Sequence, residues 1–123
     1  MADVVFWLYC TNATLLIVHE IDSAYREEWK LFRLPGGITF FLAVHLPLVF
    51  LILFGLVQVR QESLAGQILS LILSVAGIFA FSIHTFFNSR GHPEFKTPVS
   101  VTVLAATLMV SLAQLVTTIL WLR

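Results

Sequence analysis

Four long apolar segments restrict what this chain can fold into. They cover residues of about 4–29, 38–59, 64–87 and 99–122, and a helix needs roughly 20 mostly apolar residues to cross about 30 Å of hydrocarbon. Only helices and closed barrels satisfy their backbone hydrogen bonds in lipid, and the alternating pattern of a barrel strand is absent. The sequence therefore predicts an all-α, polytopic membrane protein: one domain over residues 1–123, built as a bundle of four transmembrane helices.

The composition excludes several classes of protein. Hydrophobic residues make up 59% of the chain and charged residues 11%, which does not suit a soluble domain. The net charge is zero, so we expect membrane lipid and no nucleic acid as a partner. The single Cys10 rules out an intramolecular disulfide and leaves either a buried apolar side chain or a metal ligand. No basic leader or small-residue cleavage site precedes the first segment, which we expect to be retained.

The lysines and arginines predict an orientation. Five of the seven lie at the first and third connections, and only Arg60 and Arg123 lie at the other end. Cytoplasmic loops carry the excess of these residues. We therefore expect the first and third connections to be cytoplasmic and both ends of the chain to lie outside.

The first helix is expected to continue beyond its apolar residues. After Val18 the chain continues to Trp29 without proline or glycine, so one amphipathic helix is predicted over this stretch. Pro35 and the two glycines after it then break the chain.

Three of the four histidines lie near one end of the apolar segments. At about 1.5 Å per residue, His19, His45 and His84 reach the same level to within roughly one helical turn. An imidazole or carboxylate in hydrocarbon is costly, so such groups usually face the interior of a bundle and mark a functional site. The sequence therefore predicts a polar site at this end.

The residue types at this end suit a metal ion. We expect His19, Asp22, His84 and His92 as ligands, Glu20 or Glu94 as a further ligand or general base, and His45 as a cofactor-binding residue behind the ligands. Helical bundles assemble metal sites from such histidines and acids, and this mixture suits zinc or iron. No His-Glu-x-x-His motif, nucleophile elbow or phosphate-binding loop is present.

Purely structural roles are open for the same residues. His19 and Asp22 could form a buried ion pair, and Arg26 could neutralise Asp22 or Glu20. His45 could donate to a carbonyl that Pro47 leaves free, since proline lacks an N–H. The group Glu27, Glu28 and Lys30 fits a solvated face.

The third connection is predicted to be a lid. Pro93 biases His92 toward extended backbone, so His92 and Glu94 would project to the same side, toward His84. The alternative is a packing cap on the fourth helix that buries Phe95.

Polar and small residues also follow one face of several helices. They permit close helix packing, and at the end opposite the histidines Asn12 and Gln114 are predicted to be level and hydrogen-bonded.

The pattern of His19-Glu20-Ile21-Asp22, Glu27-Glu28-Trp29, His45, His84 and Gly91-His92-Pro93-Glu94-Phe95 resembles uncharacterised small four-helix membrane proteins of bacteria. These families are classed as domains of unknown function, related to the HXXEE type, although Glu20 and Asp22 replace the His-x-x-Glu-Glu order. The resemblance implies a four-helix protein of the bacterial inner membrane with a histidine and acid site.

Two functions follow from these observations. The first is a metal-binding membrane protein, and within it a metal-dependent enzyme that acts on a lipid-like substrate. The alternative is a non-catalytic subunit of a larger complex or homo-oligomer, with histidines that pack or ligate haem or pigment.

Overall fold

A computed structural model describes residues 1–92 and 96–123. Five helices follow in chain order: α1 (Ala2–Tyr25), α2 (Glu28–Leu31), α3 (Gly37–Arg60), α4 (Leu64–Ser89) and α5 (Pro98–Trp121). All but α2 are long and apolar enough to cross a membrane. The predicted all-α fold with four transmembrane helices is confirmed.

Local sequence explains where three of the helices begin. The Ser63 hydroxyl accepts a hydrogen bond from the Gly66 amide at the start of α4, and the Thr97 hydroxyl accepts one from Ser100 at the start of α5. Pro98 occupies the first turn of α5, where a missing N–H costs nothing. Gly36, with φ at 99°, precedes α3 in a left-handed conformation that glycine adopts without strain.

The predicted continuous helix to Trp29 is wrong. α1 ends at Tyr25, and Glu27 adopts a left-handed conformation with φ at 54° before α2 begins. The buried indole of Trp29 packs against the Phe41 ring at 5.7 Å between centroids. Anchoring of Trp29 on α3 redirects the chain, although the break itself carries neither glycine nor proline.

The helices pack through a polar seam. α1, α4 and α5 pack closely together, whereas α3 contacts α1, α2 and α4, and no α3–α5 packing occurs among the described residues. The predicted contact between α1 and α5 is confirmed, since Asn12 Nδ2 donates to Gln114 Oε1 at 2.8 Å. Gln114 also donates to the Ser70 hydroxyl at 3.0 Å, and Ser111 donates to Asn12 at 3.1 Å. Because these groups are buried and bonded to each other, they fix the register of three helices.

Gly77→Ala is expected to destabilise the bundle by about 1–3 kcal/mol through overpacking of this seam. A Cβ at Gly77 would overlap the Ser111 hydroxyl and approach Thr107 and Asn12. Thermal unfolding in detergent measures the loss, with Ala105→Val on the exposed face of α5 as the control. An unchanged melting temperature for Gly77→Ala would contradict the seam.

Candidate metal centre

α2 brings a third side chain to the two buried histidines. Glu27, two residues after the end of α1, adopts a left-handed conformation and precedes α2, of which Glu28 is the first residue. Glu28 Oε1 lies 3.1 Å from Nε2 of His84, and the exposed fraction of the two side chains is 13% and 1%. The expectation that Glu28 lies on a solvated face is wrong, whereas Glu27 and Lys30 are exposed as predicted and pair with each other.

His19, Glu28 and His84 form a compact group, which we call the triad. One donor atom from each residue lies within 4.8 Å of the others. The rings of His19 and His84 meet edge to face, with 4.6 Å between their centroids. The Ser23 hydroxyl lies 3.5 Å from Nε2 of His19, one turn further along α1. α1, α2 and α4 therefore each supply one donor to a single point.

The surroundings hold Glu28 in its charged form. Burial alone would raise the pKa of the Glu28 carboxyl. The hydrogen bond from His84, the charge of that ring and a hydrogen bond from Ser23 outweigh the burial, so the pKa lies below its ordinary value. A charged carboxylate beside two imidazoles is the form that binds a cation.

The triad fits a divalent metal. Zinc binds imidazole nitrogen at about 2.0–2.1 Å and carboxylate oxygen at about 2.0–2.2 Å, and small movements from the observed spacing would bring all three donors to one ion. Two histidines and one carboxylate leave a coordination position open, an arrangement found in catalytic zinc sites and in non-haem iron sites. A metal would take the place of the proton that joins His84 to Glu28.

His45 and Glu20 form a second acid–imidazole pair beside the triad. Nε2 of His45 lies 2.6 Å from Glu20 Oε2, and Nδ1 lies 2.7 Å from the carbonyl oxygen of Phe41. A carbonyl only accepts, so Nδ1 carries a proton and the pair shares one further proton between Nε2 and the carboxylate. Pro47 leaves the carbonyl of Ala43 without its helical partner, so the acceptor of His45 is not the freed carbonyl that the sequence suggested.

Asp22 lies in a different set of contacts. Its carboxylate accepts from Arg26 Nε at 2.8 Å and from the Ser100 hydroxyl at 2.6 Å, and Arg26 also donates to Thr97. Asp22 thus joins α1 to the start of α5. The structure places its carboxylate in this ion pair and not in the triad, as one of the structural alternatives supposed.

The third connection is only partly described. The His92 ring lies against the Phe87 ring, with centroids 5.4 Å apart, and His92 is not in the triad. Glu94, together with Pro93 and Phe95, lies outside the described residues, and the predicted lid lies there with it.

The residue that sequence reasoning missed is Glu28. The signal in the sequence is the adjacent Trp29, since its large apolar ring favours burial, and the indole is indeed buried against Phe41. The absence of glycine and proline concealed the break that this requires.

A cavity of about 290 Å³ adjoins both acid–imidazole groups. Its polar end is lined by His19, Glu20, Glu28, His45 and His84. The remaining wall comes from Phe32 after α2 and from residues of α1, α3 and α4, and Tyr9 lies at the far end. The triad and the His45–Glu20 pair therefore line one cavity whose wall is otherwise apolar.

Comparison with known proteins identifies a family and no activity. The model of a family of unknown function, DUF6713, matches residues 5–120. No curated protein and no solved structure matches the chain.

Proposed function

The chain belongs to the DUF6713 family of unknown function, and we propose that it binds a divalent metal, zinc or iron, through His19, Glu28 and His84. One observation carries the proposal: three helices place two imidazoles and a carboxylate at one buried point, with donor atoms within 4.8 Å. Buried ionisable groups in a membrane bundle are costly, and a metal ion offsets that cost.

The neighbouring groups favour a catalytic centre over a purely structural one. Structural zinc sites are closed by four protein ligands, whereas the triad supplies three and adjoins a cavity. A bound divalent metal would supply Lewis acidity and would lower the pKa of a coordinated water molecule. Glu20 and His45 would accept or return a proton at the cavity wall, which is the role of a general base and acid.

The proposed substrate class follows from the residues that line the cavity. Its wall is apolar beyond the acid–imidazole groups, so a lipid-like molecule suits it. The function proposed is therefore a metal-dependent membrane enzyme that acts on such a molecule.

Metal content tests this function. Protein purified in detergent and dialysed against zinc or iron(II) is expected to hold close to one ion per chain. Glu28→Gln removes the charged donor, so it is expected to lower the content to less than half at limiting metal. Glu27→Gln is the matched control, because Glu27 is exposed and pairs with Lys30. Equal metal content in both variants, or a haem absorption band in place of metal, would contradict the triad.

We also propose that the triad faces the cytoplasm from a bacterial inner membrane. Five of seven lysines and arginines lie at that end, and Arg60 at the other end is paired with Asp3 at 3.1 Å. In a Cys10→Ala background, Gln61→Cys in the exposed second connection is expected to react with an impermeant maleimide added to intact cells, while Ser89→Cys stays protected. The reverse labelling pattern would contradict this orientation.

A further inference from the structure

The cavity beside the triad has a polar end and a long apolar body. Along α1 it extends from His19 back to Tyr9, which is about 15 Å at 1.5 Å per residue. The Tyr9 hydroxyl donates to the Ile52 carbonyl at 2.9 Å, so its donor is satisfied away from the chamber. A wall of this kind offers water few partners, and apolar cavities of this sort take apolar occupants.

The far end is closed by close helix packing. A Cβ at Gly55 would overlap the Tyr9 hydroxyl, and a Cβ at Gly66 would overlap the backbone of Gln58. α3 and α4 thus meet without space between them near their connection. This contact leaves no space for the cavity to continue toward the connection between α3 and α4, so the cavity ends near Tyr9.

The side of the chamber opens toward lipid. Four of its lining residues are large apolar side chains that are 44–63% exposed, namely Leu48, Leu51, Ile72 and Phe79. They belong to α3 and α4, both long enough to span the hydrocarbon. An occupant can therefore enter sideways from the bilayer without crossing water.

The dimensions suit one extended chain. A hydrocarbon zigzag of ~1.5 Å bonds advances roughly 1.25 Å per carbon, so a length of about 15 Å holds about 12 carbons. The volume of about 290 Å³ lies at the lower limit of small-molecule pockets, typically ~300–1,000 Å³, and leaves no room for a second chain.

We propose that this cavity binds the acyl chain of a single-chain amphiphile, whose oxygen-bearing head lies at the triad and whose terminal methyl lies near Tyr9. The position of the head rests on the proposed metal function, whereas the position of the chain rests on the cavity alone. The substrate class is thus a fatty acid or a close single-chain derivative, not a two-chain phospholipid.

The test uses a dodecanoic acid analogue with a diazirine at its terminal carbon, photolysed with the full chain in lipid nanodiscs and mapped by peptide mass spectrometry. Labelling is expected to concentrate on the far end of the cavity, around Tyr9 and Leu69, and to fall at least fivefold with excess dodecanoate. Uniform labelling of the lipid-facing residues that excess dodecanoate does not reduce would overturn the proposal and indicate lipid bound at the surface only.

Two variants separate this proposal from the metal function. Ala76→Phe adds a ring to the wall and narrows the cavity. It is expected to abolish specific labelling while zinc content stays at the wild-type value. The matched control is Ala105→Phe on the exposed face of α5. His84→Ala is expected to lose zinc and keep labelling near Tyr9. Zinc content that survives His84→Ala would refute the metal centre alone, and labelling that survives Ala76→Phe would refute the chain site alone.

Discussion

Replacing His84 with alanine is expected to lower zinc affinity by about a hundredfold or more. Loss of a group that merely orients a ligand typically costs ~10–100-fold, so removal of one of three direct ligands costs at least as much. A hundredfold change corresponds to about 2.7 kcal/mol. At zinc concentrations near the wild-type dissociation constant, the variant would hold almost none.

The same substitution should remove the stabilisation that zinc gives. A ligand at a hundred times its dissociation constant stabilises the folded protein by about 2.7 kcal/mol. Zinc at that concentration should therefore raise the melting temperature of the wild type in detergent, whereas His84→Ala should gain at most about 0.4 kcal/mol. The metal-free variant should also be less stable, because Glu28 loses its partner at 3.1 Å.

His92→Ala is the control for this experiment. The His92 ring lies against Phe87 and outside the triad, so its removal should leave the zinc affinity within about twofold of the wild type. An equal loss of affinity in both histidine variants would contradict the three-residue site and restore the predicted role of His92 as a closing ligand.

Gly66→Ala is expected to lower the free energy of unfolding by about 3 kcal/mol or more. This loss is larger than the one expected for Gly77→Ala. At Gly77 the added methyl meets the Ser111 side chain, which can rotate, whereas at Gly66 it overlaps the backbone of Gln58 and Val59, which cannot. α3 and α4 would have to separate near their connection. Thermal unfolding in detergent compares the two variants directly.

The separation should also act on the cavity. Because α3 and α4 close its far end, Gly66→Ala should weaken the specific labelling near Tyr9 even at temperatures where the protein stays folded. A melting temperature within about 1 °C of the wild type would show that the helices are not in close backbone contact at Gly66.

The features that the sequence predicted correctly depend on the length of the helices and on the depth of each residue along its helix. Apolar runs give the four long helices because the hydrocarbon fixes their length. The Asn12–Gln114 hydrogen bond follows from two depths on antiparallel helices. The same reasoning placed His19, His45 and His84 at one level, and the structure puts all three on the wall of one cavity.

Which of the polar residues at this level contact each other could not be predicted without the folded structure. Asp22 can reach Arg26 one turn away on its own helix, and this local pair with Ser100 leaves its carboxylate engaged. Glu28 enters the triad only because Glu27 adopts a left-handed conformation, which residue type alone does not indicate. Trp29 packs against Phe41 of α3 directly after this turn, a contact between residues distant in sequence that the pattern along one helix does not contain.

X-ray absorption at the zinc edge of the loaded protein tests the central claim most directly. The triad predicts nitrogen and oxygen neighbours only, at about 2.0–2.1 Å, with outer-shell scattering from two imidazoles. Glu28→Gln should change this spectrum or abolish it, and Glu27→Gln should not. A sulfur neighbour at about 2.3 Å, which only Cys10 or the methionines could supply, or scattering from a single imidazole, would contradict a metal centre built from His19, Glu28 and His84.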